Sequence, residues 1–128
     1  ILEHFKSLPK PPTAIMAYND YIALSLMRTA RHMGMALPDD LGVVGCDDIE
    51  ACSLIYPRLT TLRQRREEIG KAAMEVLEER IERGRWDNPR EVLCGTEFVE
   101  RESVADLTKS KTKVADASPE DSQRIAAA

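Results

Sequence analysis

The sequence predicts an open α/β fold, a parallel sheet flanked by helices. Two observations carry that expectation: short runs bounded by turn residues alternate with stretches of helical periodicity, and the first two runs are nearly continuously apolar, as strands covered on both faces of a parallel sheet are. In such sheets ligands bind beyond the C-terminal ends of the strands, so the same pattern that predicts the fold also picks out a site.

Ile1 to Ser7 reads as the end of a helix that Leu8-Pro9-Lys10-Pro11-Pro12 stops, because proline lacks the amide donor and disfavours helix in the residue before it. Thr13 to Tyr18 is a nearly continuous apolar run, expected to form a strand covered on both faces. Asn19-Asp20 follows as a pair of good helix N-caps. From Tyr21 to Met33 the apolar residues fall at helical spacing, with Ala23, Leu24, Met27 and Ala30 on one side and Ile22, Leu26 and Met33 on another, more apolar surface than one core face requires. Gly34 is placed to end that helix, and Leu37-Pro38-Asp39-Asp40 makes a turn before a second strand at Leu41 to Cys46.

Asp47-Asp48 comes directly after that strand, then a short helical stretch from Ile49 to Ile55 runs into Pro57, and a third strand is expected at Leu59 to Leu62. Arg65 to Arg83 is the clearest helix, its stripe traced by Ile69, Ala72, Ala73, Val76, Leu77 and Ile81, with Gly84 as the cap. Trp86-Asp87-Asn88-Pro89 reads as a turn, and Glu91 to Cys94 and Thr96 to Val99 as extended segments. Thr108 to Ala128 has almost no large apolar residues and cannot offset its own ordering entropy, so it is expected to be a mobile tail.

At 128 residues, 43% hydrophobic and 31% charged, the chain has the composition of a soluble globular domain. No apolar run approaches the ~20 residues of a bilayer helix, and the start lacks the pattern of a secretion signal, so neither export nor a membrane partner is expected. A net charge of -4 gives no reason to adhere to a polyanion, so this segment by itself is not expected to hold DNA. Cys46, Cys52 and Cys94 lack the paired spacings of a zinc site and read as buried thiols of a reducing, cytoplasmic compartment. His4 and His32 read as solvated histidines on helix surfaces.

An amide and carboxylates gathered at a sheet edge can exchange hydrogen bonds with several hydroxyls at once, which suits a sugar or a nucleoside. Asn19, Asp20, Asp47 and Asp48 meet that description, and Gln64 follows the third strand similarly. The plainer alternative is that Asn19 and Asp20 merely cap a helix and Asp47-Asp48 merely turn. Carboxylates at strand ends also hold hard cations, which leaves a metal-dependent enzyme using Asp20, Asp47 and Asp48 as a competing class. No Ser or Cys has an evident His partner and no glycine loop could cradle a phosphate, so catalysis and a cofactor are not expected.

Pro12-Thr13-Ala14-Ile15-Met16-Ala17-Tyr18-Asn19-Asp20-Tyr21-Ile22-Ala23 resembles a segment of the LacI/GalR repressor family. It is followed in family order by Gly34, Leu37 to Asp40, Val43 to Asp48, Pro57-Arg58-Leu59-Thr60-Thr61, Glu68-Ile69-Gly70 and Val99-Glu100-Arg101-Glu102-Ser103, a resemblance running from about Pro9 to Ala105. It implies a periplasmic-binding-protein-like (type I) fold, mostly the C-terminal lobe. Residues 1–105 would be part of the effector-binding domain and 106–128 a tail. It also implies a crossover helix at Ile69 and hinges near Leu62 and Gly95.

By the same resemblance Asn19, Asp47 and Gln64 are effector contacts, and Leu24, Met27, Ile55 and Tyr56 belong to a homodimer face. Operator DNA would be held by a helix-turn-helix absent from this chain. Cys46 stands where the family carries an aromatic residue, a change that either widens the pocket or is a plain packing substitution. An exported sugar-binding protein of a transporter shares the fold, but usually carries Gly-aromatic-Asp-Gly where this chain has Gly45-Cys46-Asp47-Asp48.

Overall fold

The computed structural model describes residues 1–84 and 89–108. Among them the chain order is α1 (Leu2–Lys6), β1 (Ala14–Met16), α2 (Asp20–His32), β2 (Gly42–Cys46), α3 (Ala51–Leu54), β3 (Thr60–Gln64), α4 (Arg66–Arg83) and β4 (Thr96–Val99). The sheet runs β1-β2-β3-β4. β1 pairs with β2 in parallel (Ile15 with Val43), and β2 pairs with β3 in parallel (Gly45 with Thr61). β4 returns antiparallel to β3, Thr61 opposite Val99 and Gln64 opposite Thr96, so the expected parallel sheet is in fact mixed. An antiparallel strand on the edge of a parallel sheet is a common variation.

Local chemistry explains most boundaries. The Asn19 side chain accepts from the Ile22 amide at 3.0 Å and so caps α2. At the other end Gly34 takes φ +73°, the Met35 amide returns to the Ala30 carbonyl at 3.0 Å and the Gly34 amide to Arg31 at 3.0 Å, a double closure that a left-handed residue makes possible. Asp40 accepts from the Ala36 amide at 2.7 Å and closes the turn before β2.

Three expectations are corrected. β1 is not covered on both faces: Ala14 and Met16 are exposed, because the core lies on one side of this edge strand. β3 extends to Gln64, since β4 supplies a ladder partner beyond Leu62. Of the three thiols only Cys52 is buried; Cys46 and Cys94 are half-exposed. Burial pushes the Cys52 thiol up to about 12, and the neighbouring Asp20 carboxylate adds to it. The Trp86 turn and the tail beyond Thr108 lie outside the described residues, apart from Pro89 and Thr108 themselves.

The core gathers Leu2, Ala17, Ala23, Met27, Ala30, Leu41, Val43, Cys52 and Leu59 between the helices α1 to α3 and one face of the sheet. Each fully buried large side chain here contributes about 2 kcal/mol through removal from water. Ser103 stitches β2 to β3: its hydroxyl donates to the Val43 carbonyl and accepts from the Thr60 amide at 2.8 Å, and its own carbonyl accepts from the Val43 amide at 2.8 Å. Arg58 and Glu102 pair just before it, at the surface, where an ion pair orients the chain more than it stabilises it.

α4 differs from the rest. None of its residues is buried, and Ile69, Met74, Leu77 and Ile81 are all exposed. Its apolar stripe faces residues 90–94 across a shallow depression lined by Ile69, Ala72, Val76, Val92 and Leu93, and Arg90 pairs with Glu79 at 2.6 Å. The antiparallel β3–β4 pair therefore forms a neck that leads from the sheet-and-helix lobe to a second, smaller body.

Gly45 sits where a side chain cannot: an added Cβ would lie 2.1 Å from the Asp20 carboxylate and 3.0 Å from Leu59. Gly45→Ala is expected to lower unfolding free energy by about 3 kcal/mol in a denaturant titration. A change below about 0.5 kcal/mol would show that Asp20 yields freely. Cys52 is expected to stay unmodified by iodoacetamide at neutral pH until the chain unfolds, and mass spectrometry of the alkylated protein would reveal the contrary.

Candidate functional site

The C-terminal edge of the sheet is organised around one carboxylate. Asp20, fully buried as the first residue of α2, accepts from the Thr61 hydroxyl at 2.6 Å and from the Ile49 amide at 2.9 Å. It thereby joins the segments that follow β1 and β2 to β3. Its neighbour Asn19 spends its side-chain oxygen on the helix cap, leaving its amide nitrogen without a partner among the described residues. Capping and ligand contact are thus compatible uses of one side chain.

Asp47 ends the parallel ladder, its amide donating to the Leu62 carbonyl at 2.9 Å. It adopts φ +118° and Asp48 φ +51°, two consecutive non-glycine residues in a region that L-residues rarely occupy and that Asp tolerates better than most. The Gln64 side-chain amide donates to Asp47 Oδ1 at 2.7 Å and lies 3.6 Å from Cys46 Sγ. The Arg66 guanidinium donates to the Asp47 carbonyl. Asp47 Oδ2 has no protein donor among the described residues and remains an available acceptor. An open cavity of ≈ 500 Å³ lined by Asp47, Asp48, Arg63, Gln64 and Glu97 covers this corner.

Asp48 points elsewhere. Its carboxylate, 10% exposed, receives Arg101 Nη2 at 2.7 Å and Arg63 Nε at 2.7 Å. Burial pushes its pKa up, but hydrogen bonds and charge from Arg101 and Arg63 outweigh that push and hold the carboxyl below the ordinary aspartate value. Arg101 is anchored in turn, donating to the Leu59 carbonyl at 2.8 Å, while Arg63 continues to Glu97 at 3.1 Å.

The structure therefore brings Asp47 and Gln64 into direct contact, whereas Asn19 stands after β1 on the same edge and is not among the residues that line the cavity. It does not gather Asp20, Asp47 and Asp48 around one point: the first faces inward to Thr61, the second faces the cavity and the third is occupied by two arginines. Among the described residues no group of three or more His, Cys, Asp or Glu is arranged to hold a metal. Sequence reasoning missed the roles of Thr61, Arg63 and Arg101. Arg101 lies 53 positions from Asp48, and no local pattern could have connected them.

The candidate partner face lies on α2 and the residues just after α3. Leu24, Met27, Arg31, Ile55 and Tyr56 line a depression of ≈ 480 Å³. Met27, only 2% exposed, forms its floor as part of the core, whereas Tyr56 is 79% exposed. A further cavity of ≈ 480 Å³, lined by Leu2, Phe5, Pro11, Ile15 and Leu41, opens at the opposite, N-terminal end of β1.

The family model for a periplasmic binding protein-like domain matches residues 1–104. The HTH-type transcriptional repressor PurR of Vibrio cholerae serotype O1 is 40% identical over 104 residues, covering 81% of this chain and 31% of the repressor. The chain thus spans about a third of the length of this curated relative. Among solved structures, the LacI family regulator CCPA of Weissella paramesenteroides with bound glucose superposes with a TM-score of 0.64 at 30% identity, covering 81% of this chain and 35% of that one. A LacI family regulator of Enterococcus faecium with bound ribose superposes with a TM-score of 0.63 at 31% identity, covering 80% of this chain and 38% of that one. The chain belongs to the periplasmic-binding-protein-like domain family, and over the matched residues it is similar to part of the PurR repressor and of LacI family regulators.

Proposed function

We propose that this chain is the ligand-sensing part of a cytoplasmic LacI-type repressor, and that it binds a small polyhydroxylated effector, a sugar or a nucleoside, without transforming it. The observation that carries this is the Asp47 carboxylate. One oxygen is fixed by Gln64, and the other is left as an acceptor in an open cavity at the C-terminal edge of the sheet. Asn19, after β1 on the same edge, has an amide nitrogen with no partner among the described residues, a donor that would complement that acceptor. Relatives crystallised with glucose and with ribose support the ligand class.

The exposed apolar stripe of α4 and residues 90–94 supports a second lobe packed there in the full-length protein, closing the cleft over the ligand. The α2–α3 depression around Leu24, Ile55 and Tyr56 supports a homodimer. Operator DNA would be held by a helix-turn-helix outside this chain. An effector with different affinities for two lobe arrangements shifts their populations and with them operator affinity. The named relatives are regulators, which favours this reading over a transporter's binding protein.

In the full-length protein, calorimetric titration with a panel of monosaccharides and nucleosides is expected to find at least one binder. Asp47→Ala is expected to weaken that binder by about 2 kcal/mol, roughly 30-fold, because a hydrogen bond to a charged group is lost, while operator affinity without effector is retained. Equal affinity of the variant and the parent would remove Asp47 from the site.

A further inference from the structure

Every contact that holds the strained Asp47-Asp48 turn comes from the neck or the chain just after it. The Leu62 carbonyl, Gln64 and Arg66 hold Asp47, and Arg63 and Arg101 hold Asp48. The next residue is fixed from the other side, the Ile49 amide donating to Asp20 inside the lobe. The turn is therefore held from two sides, by β3 and the start of α4 and, through Arg101 and Leu59, by the lobe. Backbone in sparsely populated regions is strained and persists only where surrounding contacts over-determine it.

The two arginines on Asp48 are unequal. Arg101 is 14% exposed and tied to the Leu59 carbonyl at the base of β3, a fixed anchor. Arg63 is 46% exposed, lies on β3 opposite Glu97 of β4 and is shared between Asp48 and Glu97. Its guanidinium bridges the two carboxylates at once, Nε to Asp48 at 2.7 Å and Nη1 to Glu97 at 3.1 Å, so a displacement of the turn is passed to β4.

We propose that Asp48 and Arg63 are positioning residues: Arg63 relays the placement of the Asp47 turn to β4, so that occupancy of the effector corner and the setting of the neck are coupled. The coupling rests on the reading of Asp47 as the effector contact, whereas the relay itself exists without ligand. Arg63 is the informative residue to change, because Arg101 still pairs with Asp48 when Arg63 is replaced and the turn keeps its anchor.

The test is amide hydrogen exchange on the full-length protein, first with no ligand present. Arg63→Gln is expected to speed exchange about tenfold both at Asp47 and in residues 96–99, leaving α2 unchanged. Asp48→Asn, which also loses the Arg101 pair, is expected to speed exchange in the same two segments by at least as much, and the double variant no more than Asp48→Asn alone. Additive effects, acceleration in one segment only, or acceleration across the whole chain would overturn the relay.

A second arm adds D-ribose or D-glucose to saturation. In the parent protein protection is expected to spread from Asp47 to residues 96–99, and in Arg63→Gln to stop at Asp47. Spread in the variant as well would overturn the coupling, an outcome that simple loosening of the turn would produce. If the parent binds neither sugar, the effector reading fails for those sugars, and the ligand-free arm still decides the relay by itself.

Discussion

The buried carboxylate of Asp20 is the interaction on which the rest of this lobe depends. It sits at the start of α2, accepts from the segment after β2 and from a hydroxyl on β3, and so fixes three elements at one point. Because an unpartnered buried polar group costs about 1–3 kcal/mol, the three elements are held together not by attraction alone but by the penalty for separating them. The demand for close approach explains Gly45, whose missing side chain leaves the space that the carboxylate fills. Asn19 and Asp47, one residue before the carboxylate and two before its Ile49 partner, inherit their placement from it.

From that anchor outward the structure becomes progressively less self-sufficient. The lobe around Val43 and Leu59 has a closed core, the β3–β4 neck is held by a ladder and an arginine–carboxylate lattice, and α4 has no buried residue. The gradient suits a sensor, which needs a rigid platform for the ligand and a more yielding connection to whatever responds. Asp47 lies where the two regimes meet.

Local chemistry made much of this legible in the sequence. The cap at Asn19, the left-handed Gly34 and the apolar runs that became β2 and β3 all announce themselves over a few residues, and the candidate site followed from the rule that strand ends face the ligand. What stayed hidden is non-local. The antiparallel sense of β4 depends on where the chain returns, and Arg101 meets Asp48 only because Ser103 stitches residues 101–104 between β2 and β3. The apolar stripe of α4 was readable as periodicity, but periodicity alone does not say whether a stripe is buried within the chain, and here it is not.

The central claim is that ligand binds at the C-terminal edge of the sheet, beside Asp47. Its most direct test is side-chain and backbone NMR of the full-length protein titrated with D-ribose, D-glucose and a nucleoside. The largest shifts are expected at the Asn19 and Gln64 side-chain amides and the Asp47 backbone. Shifts clustered instead around Leu2, Pro11 and Leu41, in the cavity at the opposite end of β1, would contradict the account.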